Sequence, residues 1–228
     1  MATTEHIETH PGMLADVRER RVPLEQPAAT RIGNPMPIAV GLLAFQLLLF
    51  GVEWWNTDVA TIGKSGVAAA NEYSLLVAGI AQFTAGVICF FRGEGYRGQI
   101  ASMFGLWLVG FFLLARDEEA PPMSAAWFLF GLVLPLVVIM IPAVLSRVWP
   151  FVVAFGSIIV MCVTAGLGFR GISNESAKAA AGGTPDLGGY VTLLHVASVF
   201  AWVCVAALVV IMVEDVLREA GILRPKAH

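Results

Sequence analysis

The stretch LLVAGIAQFTAGVICFFRGEGYRGQIASMFGLWLVGFFL, Leu75 to Leu113, holds two apolar runs joined by one charged bend, Arg92-Gly93-Glu94-Gly95-Tyr96-Arg97. Residues three and four apart share a helix face, so Gly79, Gln82 and Gly86 form one stripe and Gly98, Ser102 and Gly105 another. Small residues at that spacing let two helix backbones approach closely in lipid. Gln82 is the odd member of its stripe. An unpaired amide in hydrocarbon costs several kcal/mol, so this side chain must face other helices or water. The stretch reads as a membrane hairpin with a polar group turned inward.

Composition carries that reading to the whole chain. Of 228 residues, 57% are hydrophobic and 14% charged, and the mean hydropathy is +0.77. Soluble domains carry about 25% charged residues. Apolar spans fall at 36–55, 74–91, 98–115, 124–145, 149–169 and 189–213. About 20 helical residues cross a hydrocarbon core of about 30 Å. The expected fold is an all-α membrane protein of six transmembrane helices, with no room for a soluble catalytic domain; the chain does not read as an enzyme.

The net charge of −3 says little, but the placement of the cations says more. With the N-terminus inside, Arg18, Arg20, Arg21, Arg31, Arg92, Arg97, Arg147, Arg218, Arg224 and Lys226 lie on the inner side, leaving Lys64, Arg116, Arg170 and Lys178 outside. The positive-inside rule then expects both termini in the cytoplasm and a multi-pass protein of the cell's inner (plasma) membrane. Three parts follow: a polar, disordered tail over 1–33, a six-helix domain over 34–215, and a short tail over 216–228. Cys89, Cys162 and Cys204 all lie within apolar spans and read as small buried residues, with no disulfide implied.

Along the six-helix domain, Asn34-Pro35-Met36-Pro37 gives the first helix a good cap and a proline-bearing first turn. Free N–H groups at such an end attract anions. Gln46 is the polar interior side chain of that helix, and Glu53, Trp54 and Trp55 sit at its outer end, where Glu53 is expected to be solvated at the interface. Pro135 and Pro142 interrupt the fourth span, and the Gly-rich segment 170–189 reads as a flexible outer loop. His195, about two turns into the sixth span, reads either as a pathway residue or as a packing and interfacial one.

The sequence has no His/Cys/Asp/Glu cluster at metal-ligand spacing, no phosphate-binding glycine loop, no plausible nucleophile triad and no basic patch for nucleic acid. No metal or other cofactor is therefore expected. A pathway through such a bundle would be narrow and apolar, with polar side chains at intervals. It suits a small solute that is neutral or weakly held as an anion.

Several of these residues carry a family resemblance. Asn34-Pro35-Met36-Pro37 resembles the NPAPLGL signature of the acetate uptake transporter family, which includes bacterial succinate–acetate permeases. Ala78-Gly-Ile-Ala-Gln82, then Ala85-Gly86 and Phe91-Arg-Gly93, is similar to that family's YGGxAQ…AG…KG stretch, and Phe104-Gly105 with Trp107 resembles its YGxFW. His195 and the end of the sixth span are similar to the sixth helix and tail of bacterial members. The resemblance covers about 34–220.

It implies a six-helix protomer in a homo-hexamer, each subunit with its own path for acetate and related short carboxylates, often with a proton. Asn34 then stands at the entrance, Gln82 in the pathway and Phe104 in the place of a constriction tyrosine. The constriction phenylalanine falls at Leu43 to Phe45, with Phe45 the matching residue type. Pro35, Pro37, Gly79, Gly86 and Gly105 are the structural motif, and His195 joins the pathway. Phe104 lacks the tyrosine hydroxyl, which implies a shift toward larger or more apolar acids. Two further readings remain: a urea or short-amide channel, and a non-transporting membrane adaptor that uses its N-terminal tail.

Overall fold

In the computed structural model, which describes residues 33–57, 68–117 and 120–222, six α-helices follow one another. They are α1 (Met36–Trp55), α2 (Ala68–Phe91), α3 (Gly95–Ala115), α4 (Pro122–Leu145), α5 (Trp149–Ala180) and α6 (Gly188–Glu219). All six are long and apolar enough to cross a membrane. Each packs against its neighbours in sequence, and α6 returns to α1, so the helices close into a six-membered ring whose loosest seam lies between α3 and α4.

Burial follows the helical repeat. On α1 the buried positions include Met36, Ala39, Val40, Leu43, Leu47, Phe50 and Trp54, three or four apart. Large apolar side chains such as Ile38, Leu106 and Leu134 stay exposed on the outside, which water would penalise and lipid does not. The helix α4 turns the most of its length outward and runs unbroken through Pro135 and Pro142.

The α2–α3 hairpin meets through the two stripes expected from the sequence. A Cβ added at Gly79 would lie 3.0 Å from the Gly105 carbonyl oxygen, and one at Gly86 would lie 2.6 Å from the Ser102 nitrogen. The two backbones are in contact, leaving no space for a side chain at either position. At the bend, Gly93 takes φ +77, a left-handed conformation that costs glycine least.

Two boundaries differ from the sequence expectation. The segment 170–189 is not one flexible loop: α5 continues to Ala180, and a short connection precedes α6. Glu175 and Lys178 pair at 3.2 Å one turn apart. Gly171 serves as a slot for Tyr190 instead of a helix breaker, since a Cβ there would come within 2.0 Å of that ring. Likewise α6 does not stop before a tail at 216 but reaches Glu219, with Asp215 buried in the bundle. The tail expected over 1–33 lies almost wholly outside the described residues, as does Lys64.

Candidate functional site

Three cavities lie inside the ring. A central one of about 30 Å³ is lined by Met36, Val40 and Leu43 of α1, Gln82 of α2, Phe104 of α3, and residues of α5 and α6 including Ile158 and Leu208. It shares Phe151 and Ile211 with a cavity of about 600 Å³ at the end of the ring that carries Arg97. At the opposite end a cavity of about 310 Å³ is lined by Glu53, Trp54, Thr57, Phe111 and Asp117 among others. Between the central cavity and this last one the core is aromatic. Phe50 stacks on Trp54 at 5.0 Å and meets Phe111 edge-on at 5.6 Å. The central space has room for a water molecule or two and not for a two-carbon acid.

Gln82 and Phe104, 22 positions apart in sequence, thus come together at the closed centre. The glycines of the α2 stripe face α3, while Gln82 at the stripe's edge turns to α1. There its Nε2 donates to the Ala39 carbonyl at 2.6 Å, and the residue is 2% exposed. One N–H of the carboxamide is thus engaged by α1. The group keeps a second N–H and its oxygen, so Gln82 lines the cavity as a neutral amide able to donate and to accept.

The other expected site residues divide. Asn34 Oδ1 accepts the Met36 N–H at 3.0 Å, while its own N–H donates to Glu219 Oε1 at 3.0 Å. Pro35 and Pro37 form the first turn as expected. The start of α1 is already engaged by a carboxylate of this chain, and Asn34 lines none of the three cavities. Phe45 is a correction. It is 49% exposed on the outside of α1, and Leu43 lines the centre in its place. Two residues along a helix is about 200° of rotation, so the two positions cannot both face inward.

His195 lines none of these three cavities either; its Nε2 lies 3.1 Å from the Thr57 carbonyl and its ring 5.2 Å from that of Trp55. It ties α6 to the end of α1, the packing reading of the two left open. Glu53 is also placed differently from expectation. It faces the cavity at its end of the ring instead of standing in the open interface.

Sequence reasoning missed what holds Glu53. Ser74 Oγ lies within hydrogen-bond reach of both Gln46 Oε1 and the Asn71 carbonyl, Gln46 Nε2 donates to Asn71 Oδ1, and Asn71 Nδ2 donates to Glu53 Oε2. This polar chain crosses the α1–α2 seam, with Gln46, Asn71 and Ser74 all buried. The signal was present: Asn71, Ser74, Ala78, Gln82, Ala85 and Cys89 repeat every three or four residues. A second span beginning at 74 leaves Asn71 in the preceding loop. Replacing Asn71 with Ala removes the acceptor of one buried donor and the donor to one half-buried carboxylate. The expected cost is about 1–3 kcal/mol per orphaned group, read as a lower thermal midpoint of the detergent-purified protein; an unchanged midpoint would contradict it.

At the Arg97 end the charges are paired. Arg97 reaches Asp215 at 3.1 Å and Glu94 at 3.4 Å, and Arg218 reaches Glu214 at 2.9 Å. Tyr96 donates to the Ile139 carbonyl at 2.7 Å, bracing the loose α3–α4 seam. Among the described residues no three His, Cys, Asp or Glu side chains form a group able to hold a metal ion.

Six membrane-length helices define the chain as a multi-pass membrane protein. No protein-family model, no curated protein and no solved structure matches it.

Proposed function

We propose that the protein carries acetate and related short monocarboxylic acids across the membrane, each passing along the ring axis in its protonated, neutral form. The observation that carries this reading is the central cavity, where Gln82 presents a neutral carboxamide and no charged side chain is among the lining residues. A bare carboxylate is costly in low dielectric, and no cation lines this cavity to offset that cost. A protonated acid avoids the cost and supplies an O–H to the carboxamide oxygen. Passage needs Phe104, Leu43 or their neighbours to move, as in a gated carrier with a cavity at each end.

The motif resemblance to acetate uptake transporters supports the same reading and adds a homo-hexamer to it. The Arg-bearing turns at 92–97 and 146–148 support an orientation with that end, and both termini, in the cytoplasm of the plasma membrane. The acceptor at Gln82 would equally suit an amide N–H, which keeps a urea or short-amide channel as the competing reading.

A panel of labelled one- to four-carbon acids and urea, tested in vesicles of purified protein with and without a pH gradient, separates the two. Saturable acid uptake that urea does not compete is expected. Urea flux independent of proton activity would replace this reading with the competing one. In the same assay Phe104→Tyr, which returns a hydroxyl to the centre, is expected to shift preference severalfold toward acetate over the four-carbon acid. An unchanged profile would remove Phe104 from the constriction.

A further inference from the structure

We propose that Glu53 is the specificity-determining residue at the far end of this path: it accepts the O–H of a protonated acid in the 310 Å³ cavity and turns the carboxylate anion away. The inference rests on the acid-carrier reading above and adds the place where the choice between the two forms of the substrate is made.

The argument starts from the direction of the buried polar chain. Each amide has a donor end and an acceptor end. With Gln46 Nε2 donating to Asn71 Oδ1, Asn71 turns its Nδ2 to Glu53, and the carboxylate stands as the terminal acceptor. The chain fixes Oε2 in that role and holds the side chain in place, while the residue lines a cavity large enough for a short acid. The cavity therefore offers a preorganised acceptor on a group that can bear negative charge. A solute with a proton to donate gains a hydrogen bond there, and an anion gains only repulsion.

The surroundings agree. Asp117, in the connection between α3 and α4, lines the same cavity, and no Lys or Arg does so among the described residues. Two bases stand on the flanking helices: Arg116 of the α3 end, paired with Glu72 of α2 at 3.2 Å, and Arg170 of α5, which is exposed and is not among the lining residues. From α6, His195 is held by the Thr57 carbonyl. From α5 the lining is apolar, Phe169 and Ile172, and Glu175 farther along is engaged by Lys178 and the Asp186 N–H. The opposite end differs, with Arg97 and Arg218 balanced by Glu214 and Asp215.

The test uses methanesulfonate, a one-carbon acid anion only slightly larger than acetate that stays an anion at every assay pH. Binding of acetic acid and of methanesulfonate to the full-length protein in detergent is measured by calorimetry at pH 5.5 and 7.5. Wild type is expected to bind the acid at pH 5.5 and to reject methanesulfonate at both. Glu53→Gln, which keeps size and removes charge, is expected to bind methanesulfonate at least about tenfold more tightly than wild type, whereas Glu53→Asp keeps the rejection.

Equal methanesulfonate affinity in wild type and Glu53→Gln, or binding to neither, overturns the proposal. Methanesulfonate binding to wild type as tightly as acetate at pH 7.5 overturns it without any variant. The two readings fail separately. Wild-type vesicles that move no acid, with the binding contrast intact, remove the carrier reading and leave the selective cavity. Vesicles that move acetate with no contrast remove Glu53.

Discussion

Gly105→Leu is expected to prevent the ring from closing, giving a protein that aggregates on detergent extraction or melts far below wild type. A Cβ at this position would lie 2.3 Å from the Phe83 nitrogen and 2.7 Å from the Gly79 carbonyl oxygen. Those are backbone atoms of α2, so no side-chain rotation relieves the clash. The helices must separate, and the seam they would lose is one of the most extensive in the ring. Overpacking of a dense interface costs about 1–3 kcal/mol and sometimes more; here about 3 kcal/mol is the expected minimum, because the backbone itself must move. Gly131 supplies the control. Nothing lies within 4 Å of a Cβ built there, so Gly131→Ala should leave the melting temperature unchanged or raise it slightly. A Gly105→Leu protein that elutes and melts like wild type would mean the two helices do not meet as described.

Gln82→Leu is expected to cut acid uptake at least about tenfold, the equivalent of one hydrogen bond of about 1.4 kcal/mol, while the protein folds and elutes normally. Leucine is close to glutamine in size, so the central packing survives. The Ala39 carbonyl loses a second donor but, lying within α1, still accepts its own helical N–H. What disappears is the polar atom that Gln82 offers the cavity. If it is the acceptor for a passing acid, the rate falls. If Gln82 does no more than tie α2 to α1, stability changes and flux does not. Wild-type uptake by the variant would thus take Gln82 out of the path and leave it as an interhelical clamp.

Much of the fold was legible because lipid imposes simple rules. Each span from 36 to 213 became a helix, and the α2–α3 contact followed from the spacing of Gly79, Gly86, Gly98 and Gly105 alone. Hydropathy could not find the ends of α5 and α6. Residues 170–180 and 214–219 are polar enough to leave the membrane, yet they stay helical through local pairs such as Glu175–Lys178 and Arg218–Glu214.

The site was legible in part. Gln82 and Phe104 do share the centre, but the sequence had no means of showing that Gln82 also donates to the Ala39 carbonyl. Phe45 was favoured as an aromatic at an uncertain register, and the helical repeat gives the inward position to Leu43. The repeat through Asn71 and Ser74 marks the buried face of α2, but which residues of α1 meet it across the seam leaves no mark in the sequence.

The central claim is that a short acid crosses the ring in neutral form. Its most direct test is the protein-dependent uptake of labelled acetate by vesicles of purified wild-type protein, recorded with lumenal pH under an imposed membrane potential. Saturable uptake above that of protein-free vesicles is expected, with the lumen acidifying in step and the rate indifferent to the potential. Uptake no faster than that of protein-free vesicles, or a rate that follows the potential, would contradict the account.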